Sequence, residues 1–151
     1  MTETTQTSQA HEQTSQSPEP SEQMRALDRL VGTWQVEGGA VGITRYEWMA
    51  GRHFLLQHVE LENSTGLEMI GHEHPIFGER SEHVKSRYYG NGGETFDYTY
   101  ELEGDVLTIW GGEKGSPAFY RGTFSADGNV LTGSWTYPGG GGYDSVSTRV
   151  A

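Results

Sequence analysis

The 151-residue sequence contains no cysteine, and its 10 lysines and arginines are outnumbered by 21 acidic residues. Without cysteine the chain forms neither disulfides nor thiolate centres, which excludes cysteine catalysis and covalent cross-links. A formal net charge of −11 repels nucleic acid and anionic membranes, and no basic stripe offsets it. We therefore expect partners that are neither nucleic acids nor membranes.

Long hydrophobic runs are also missing. No apolar stretch approaches the length of a transmembrane helix. The N-terminus has neither the basic region nor the apolar region of a secretory signal, and this predicts a cytoplasmic protein. Hydrophobic residues make up only 33% of the chain, so the core is expected to be partly polar.

Residues 1–22 differ in composition from the rest of the chain. They are mainly Thr, Gln, Ser, Glu and Pro, and they contain no aromatic residue. Such a segment cannot bury enough apolar surface to offset its ordering entropy, which predicts a disordered acidic, polar tail. The tail holds four acidic residues and no basic ones, so residues 23–151 carry about −7. Those residues are predicted to form one domain.

Aromatic residues and glycine are abundant, with 4 Trp, 8 Tyr, 5 Phe and 22 Gly. A short amphipathic helix is predicted first, with Ser21 as its N-cap and Met24, Leu27 and Leu30 on one face. Ten strand patterns follow, separated by turns rich in Gly, Asn and Asp. The predicted strands are 33–37, 43–50, 53–62, 67–74, 82–89, 95–102, 106–111, 118–125, 130–136 and 143–150.

The connections between these strands are too short for crossover helices, so the sheet is predicted to be antiparallel. A sheet of this size avoids exposed edges by closing on itself. We therefore predict an all-β fold, a closed up-and-down barrel of about ten strands with a short N-terminal helix. The interior of such a barrel has room for a small molecule.

Aromatic and polar residues recur at alternate positions of several strands and are candidates to line a pocket. Aromatic walls with a few polar groups are typical of small-molecule sites. Strand register decides which parity faces inward, because a slip of one residue reverses every assignment. The candidate ligand-binding residues are Tyr46, Trp48, Phe54, His58, Tyr88, Tyr98, Tyr100 and Trp135.

The segment His72-Glu73-His74 is a candidate metal site. Two histidines at positions i and i+2 of a strand point the same way and can reach one ion. With Glu79, the spacing resembles the first metal-binding motif of the cupins, and His83 is a candidate for a further ligand. The alternative is that both histidines are polar residues at the barrel rim, and this alternative predicts no cofactor.

A metal-free catalytic site is a second alternative, with His58 as candidate acid or base. Arg45 and Arg121 are candidate stabilisers of an anion, and Glu47 and Asp97 are candidate partners. No Ser-His-Asp order, carboxylate pair or nucleophile elbow is recognisable. Barrel cyclases and isomerases work mainly by shaping a hydrophobic ligand, so they leave few motifs.

Three landmarks resemble the calycin superfamily, and most closely a bacterial lipocalin-like family of uncharacterised domains. They are Leu-x-x-Leu-x-Gly-x-Trp at Leu27–Trp34, Met-Ala-Gly-Arg-His-Phe-Leu at Met49–Leu55, and Met-Ile-Gly-His-Glu at Met69–Glu73. The resemblance spans roughly residues 24–150. It implies a lipocalin-like barrel for residues 23–151 and a structural role for Trp34, which would plug the closed end.

Two calycin groups serve as comparisons for ligand chemistry. Nitrobindins bind haem through a histidine near the C-terminus, and this chain has no histidine after His83. Fatty-acid-binding proteins hold a carboxylate with Arg and Tyr at i and i+2, a spacing that Arg87 and Tyr89 share on a middle strand.

The sequence thus predicts binding of a small hydrophobic or aromatic molecule, by a monomer or homodimer. The alternatives are an enzyme acting on such a molecule, through His72, His74 and Glu79 or through His58, and a partner-binding domain with a solid barrel. Truncating Trp48, Tyr98 or Trp135 is expected to weaken binding in the first case.

Overall fold

A short helical segment precedes ten strands. The computed structural model describes residues 19–151, so most of the predicted tail, residues 1–22, lies outside the described residues. The elements are helix α1 (Glu22–Ala26), a 3-10 helix (Leu27–Leu30), β1 (Gly32–Gly38), β2 (Gly42–Trp48), β3 (Leu55–Leu61), β4 (Ser64–Gly71), β5 (Val84–Gly90), β6 (Thr95–Glu103), β7 (Val106–Gly111), β8 (Phe119–Phe124), β9 (Val130–Thr136) and β10 (Gly142–Arg149).

The ten strands form a closed antiparallel barrel, as the sequence predicts. Each strand pairs with its neighbours along the chain, and β1 pairs with β10 to close the sheet. The ten strands that the structure describes therefore leave no unpaired edge. Successive hairpins alternate between the two ends of the barrel. The connection from β1 to β2 and every second connection after it therefore lie at one end, and the connection from β2 to β3 and every second one after it lie at the other.

The predicted boundaries of the fourth strand, 67–74, are wrong at both ends. Leu61 pairs with Ser64 across a two-residue turn, so β4 begins earlier than the Asn- and Gly-containing turn suggested. At its other end β4 stops at Gly71, and His72 leaves the sheet. The side chain of His72 is instead held by polar groups outside the strand pairing, as described below.

The helical segment closes one end of the barrel. Ser21 is the N-cap, as predicted, and its hydroxyl oxygen accepts a hydrogen bond from the amide of Met24 at 3.1 Å. Met24, Leu27 and Leu30 are almost fully buried in the core. Among residues 19–151, no helix is long and apolar enough to cross a bilayer.

Trp34 and Arg149 fix this closed end, and Trp34 has the position that the resemblance implies. The indole Nε1 of Trp34 donates to the carbonyl of Leu30 at 2.8 Å, and the ring is 1% exposed. The Arg149 guanidinium carbon lies 4.3 Å from the centre of that ring. Its nitrogens donate to the carbonyls of Val31 and Arg29, so β10 is tied to the end of the helical segment.

Candidate functional site

The barrel encloses a cavity of about 540 Å³ on the side away from the helical segment. Seven of the eight tyrosines line it, together with Phe96 and Trp135. The lining reaches Ala40, Asn63 and Ala118, which lie in or next to hairpins at the end opposite α1. The cavity therefore extends from the apolar core to the open end of the barrel, and the interior is not solid.

Inward-facing glycines make room for the tyrosine rings. A Cβ atom at Gly122 or Gly133 would lie 2.3 or 2.5 Å from the Tyr120 hydroxyl oxygen. A Cβ atom at Gly66 would lie 2.8 Å from the hydroxyl of Tyr88. Glycine inside a strand weakens it, but here it allows a large ring to lie flat against the sheet. The two tyrosine rings thus lie along the barrel wall, next to the cavity.

Glu68 is the single carboxylate among the residues that line the cavity. It lies in the middle of β4, is 6% exposed, and accepts a hydrogen bond of 2.6 Å from the Tyr100 hydroxyl. Burial raises the pKa of the Glu68 carboxyl above its usual range, and the hydrogen bond from the Tyr100 hydroxyl opposes this rise. Ser86 lies beside Glu68, and its Oγ is buried without a hydrogen-bond partner among the described residues.

The tyrosine hydroxyls around Glu68 stay protonated at neutral pH. Burial is the main cause that raises the pKa of Tyr46, Tyr98 and Tyr100, and the charge of Glu68 raises each of them further. Burial also raises the pKa of Tyr120, to about 12. These groups can therefore donate hydrogen bonds, either to the carboxylate or to a bound molecule.

The structure brings together five of the eight predicted ligand-binding residues. These five line the cavity, namely Tyr46, Tyr88, Tyr98, Tyr100 and Trp135. Trp48 faces inward but lies near the closed end, where its Nε1 donates to Asp28 at 2.7 Å. Phe54 precedes β3 and lies against Gly71, so it is not among the lining residues.

His58 lies on the outer face of the barrel and does not reach the cavity. In β3 the inward positions are Leu55, Gln57, Val59 and Leu61, and His58 has the opposite parity. Its Nε2 is 2.7 Å from the Glu47 carboxylate. That carboxylate also accepts from Arg45 at 2.6 Å.

Arg45 and Arg121, the candidate stabilisers of an anion, also lie on the outer face of the barrel. Arg121 is exposed on β8, where its guanidinium carbon lies 4.8 Å from the centre of the Phe119 ring. Arg87 forms an exposed ion pair with Asp97 at 2.6 Å, and Tyr89 beside it is 49% exposed. The Arg87–Tyr89 spacing therefore does not supply a carboxylate site inside the barrel.

His72, His74 and Glu79 are not brought together. Because the carbonyl of Ser81 can only accept, His72 Nδ1 at 2.7 Å carries the ring proton, and Nε2 accepts from the Ser21 hydroxyl at 2.8 Å. Burial lowers the pKa of His72 and favours this neutral form. His74 and Glu79 are exposed, and within residues 19–151 no three His, Asp or Glu side chains are placed to hold a metal ion.

The sequence prediction missed Glu68, the most polar group of the cavity. In β4 both faces carry apolar residues, with Gly66 and Ile70 inward and Leu67 and Met69 outward. Alternation therefore gave no signal of which face was buried. The available clue was the pairing of Glu68 with the aromatic Tyr88 in the neighbouring strand, which required the register to be known.

We expect Glu68→Gln to remove part of the pH dependence of stability. A folded-state pKa above the ordinary value of 4.5 means that this carboxyl contributes stability below about pH 4.5. That stability is lost as pH rises through the folded-state pKa. The variant should therefore gain stability relative to the wild type as pH increases over this window, measured by urea unfolding at several pH values.

The matched control is Glu60→Gln, an exposed position on the neighbouring strand β3. Its free energy of unfolding should stay within about 0.5 kcal/mol of the wild type across the same pH range. A difference between Glu68→Gln and wild type that does not change with pH would show that the buried carboxyl is not the source of the effect.

No protein-family model matches the sequence, and no curated protein is significantly similar to it. These comparisons therefore assign neither a family nor an activity to the chain. The cavity, with its aromatic walls and one buried carboxyl, is the structural feature from which a function can be argued.

Proposed function

We propose that the protein binds a small hydrophobic or aromatic molecule inside the barrel. The observation that carries this proposal is the cavity of about 540 Å³ in a barrel sealed at one end. Sites for small molecules usually have about 300–1,000 Å³ and combine apolar walls with a few polar groups. Entry of the ligand from the end opposite α1 is favoured, because the helical segment fills the other end with buried side chains.

The walls suit a ligand with a flat apolar body. Trp135 packs against Tyr98 and Tyr120, with ring centres 5.9 and 5.7 Å apart, which gives the cavity one continuous aromatic side. Leu107 and Ile109 contribute aliphatic surface next to it. Burial of such surface provides most of the binding free energy, and the tyrosine hydroxyls set the ligand's orientation.

A relationship to the lipocalin-like calycins is part of the same proposal. The burial of Trp34 under the helical segment supports it, since the resemblance implies that role for the residue. The expected cytoplasmic location, the monomeric or homodimeric state and the lack of a cofactor remain predictions.

A pair of substitutions at neighbouring residues tests whether binding takes place in the cavity. Ser145 is buried and lines the cavity, whereas Val146 next to it is 39% exposed on the outer face of β10. Ser145→Phe places a ring into the cavity, and Val146→Phe places the same ring outside. We expect Ser145→Phe to weaken binding of 1-naphthalenemethanol about tenfold or more, and Val146→Phe to leave it unchanged.

Isothermal titration calorimetry measures the affinity, and near-ultraviolet circular dichroism checks that both variants are folded. Equal affinities of the alcohol for the two variants would count against a ligand site in the barrel.

A further inference from the structure

The cavity contains an acidic group and, within residues 19–151, no basic one. Glu68 is the one carboxylate in its lining, and none of the lining residues is Lys, Arg or His. The described arginines and lysines that form ion pairs do so with carboxylates other than Glu68. The protein thus places an acid in a cavity, and none of the side chains that the structure describes there supplies a counter-charge.

The hydrogen bonds of Glu68 do not replace that counter-charge. Tyr100 donates to Oε2 at 2.6 Å, and Ser86 Oγ nearby is left without a partner among the described residues. A buried carboxylate is costly unless it is paired as well as hydrogen-bonded. Glu68 therefore remains able to pair with a positive group that enters the cavity.

The rest of the cavity also favours a cation. The faces of tyrosine and tryptophan rings attract cations, and seven tyrosines and Trp135 line the same cavity as Glu68. The chain as a whole carries a formal charge of −11, which raises the local concentration of cations. A carboxylate ligand, by contrast, would meet Glu68 and find no basic partner.

We propose that the ligand is an organic cation, a small amine with an apolar or aromatic body, and that Glu68 is its counter-ion. This inference rests on the proposed function, since it specifies the ligand class of the same cavity. The ammonium group would meet Glu68 and the ring faces around it, while the apolar body would lie along Trp135 and the aliphatic wall.

Three probes with the same ring and different charge test the inference. They are 1-naphthalenemethylamine, 1-naphthalenemethanol and 1-naphthoic acid, which are cationic, neutral and anionic at pH 7.5. We expect the wild type to bind the amine about tenfold tighter than the alcohol, a difference of about 1.4 kcal/mol. The acid should bind more weakly than both. Calorimetry at low and at high salt measures the three affinities.

Variants at Glu68 identify the residue responsible. Glu68→Gln keeps the shape of the side chain and removes its charge, so it should retain binding of the alcohol and lose the preference for the amine. Glu60→Gln, on the outside of the barrel, removes the same charge from the protein and should keep the preference. Retained alcohol binding shows that the Glu68 variant is folded and that its cavity is intact.

The outcomes separate the two proposals. A preference for the amine that disappears in Glu68→Gln and survives in Glu60→Gln supports Glu68 as counter-ion. Equal binding of the amine and the alcohol by the wild type, or a preference that survives in Glu68→Gln, overturns the inference and leaves ligand binding in place. Failure of all three probes to bind the wild type counts against the proposed function, and the inference falls with it.

Discussion

Replacing Trp34 by alanine is expected to lower the free energy of unfolding by about 3–5 kcal/mol, the usual range for removing a fully buried tryptophan. Its ring is 1% exposed and lies between the barrel core and the Arg149 guanidinium. Phe124 packs on it at 6.2 Å between ring centres. Its loss would leave a cavity and an unpaired carbonyl at Leu30, which now accepts the indole hydrogen bond.

Urea unfolding followed by far-ultraviolet circular dichroism measures this effect. Phe77→Ala is the control, because Phe77 is fully exposed in the loop between β4 and β5 and its truncation should change stability by less than about 0.5 kcal/mol. A Trp34→Ala protein with wild-type stability would show that the closed end does not depend on this side chain.

The second large effect is expected at Arg149, where lysine should lower the free energy of unfolding by about 2–3 kcal/mol. The guanidinium donates to the carbonyls of Arg29, Val31 and Gly128 and to the side chain of Asn129. Hydrogen bonds to a charged group contribute about 1.5–3 kcal/mol each, and a lysine ammonium can keep only some of them. The lysine ammonium would also lose the contact that the Arg149 guanidinium makes with the Trp34 ring.

The same unfolding measurement applies, with Arg45→Lys as control. Arg45 is exposed on the outer face of β2 and pairs with Glu47, so exchange for lysine should change stability by less than about 1 kcal/mol. Equal effects of the two lysine substitutions would contradict the role of Arg149 as the residue that joins β10 to the helical segment.

These two predictions and the binding predictions concern opposite ends of the barrel. The closed end is dense, with Met24, Leu27 and Leu30 buried against Trp34. The other end is hollow, and seven tyrosines line its walls together with aliphatic residues. Close packing at one end can stabilise the sheet while the other end keeps space for a ligand. Substitutions at Trp34 are therefore expected to change stability, and substitutions at Ser145 are expected to change binding.

Much of the fold could be predicted from local patterns. The ten strands and their order follow from short alternating segments between Gly, Asn and Asp turns, because each hairpin depends on residues close together in the chain. Ser21 and Met24 likewise mark the start of the helix through a contact three residues apart. Closure of the barrel follows from the number of strands and the lack of crossover segments.

The candidate site depended on which face of each strand points inward, and only the closed barrel decided that. His58 and Gln57 are adjacent in sequence, yet Gln57 lines the cavity and His58 pairs with Glu47 outside. His72 was predicted to extend a strand, but its ring nitrogens meet Ser21 and Ser81 at a distance of 51 and 9 residues along the chain. Such contacts leave no trace in local periodicity.

Glu68 shows most clearly which features the local sequence determines and which only the tertiary structure decides. The sequence by itself determined a ten-stranded antiparallel barrel rich in tyrosine, since alternation and turn chemistry act over a few residues. The tertiary structure alone decided that Glu68 meets the hydroxyl of Tyr100, 32 residues away. It also placed this pair in a cavity whose lining, as far as residues 19–151 are concerned, has no basic side chain. Burial and charge at that point arise from strands that are distant in sequence and adjacent in space.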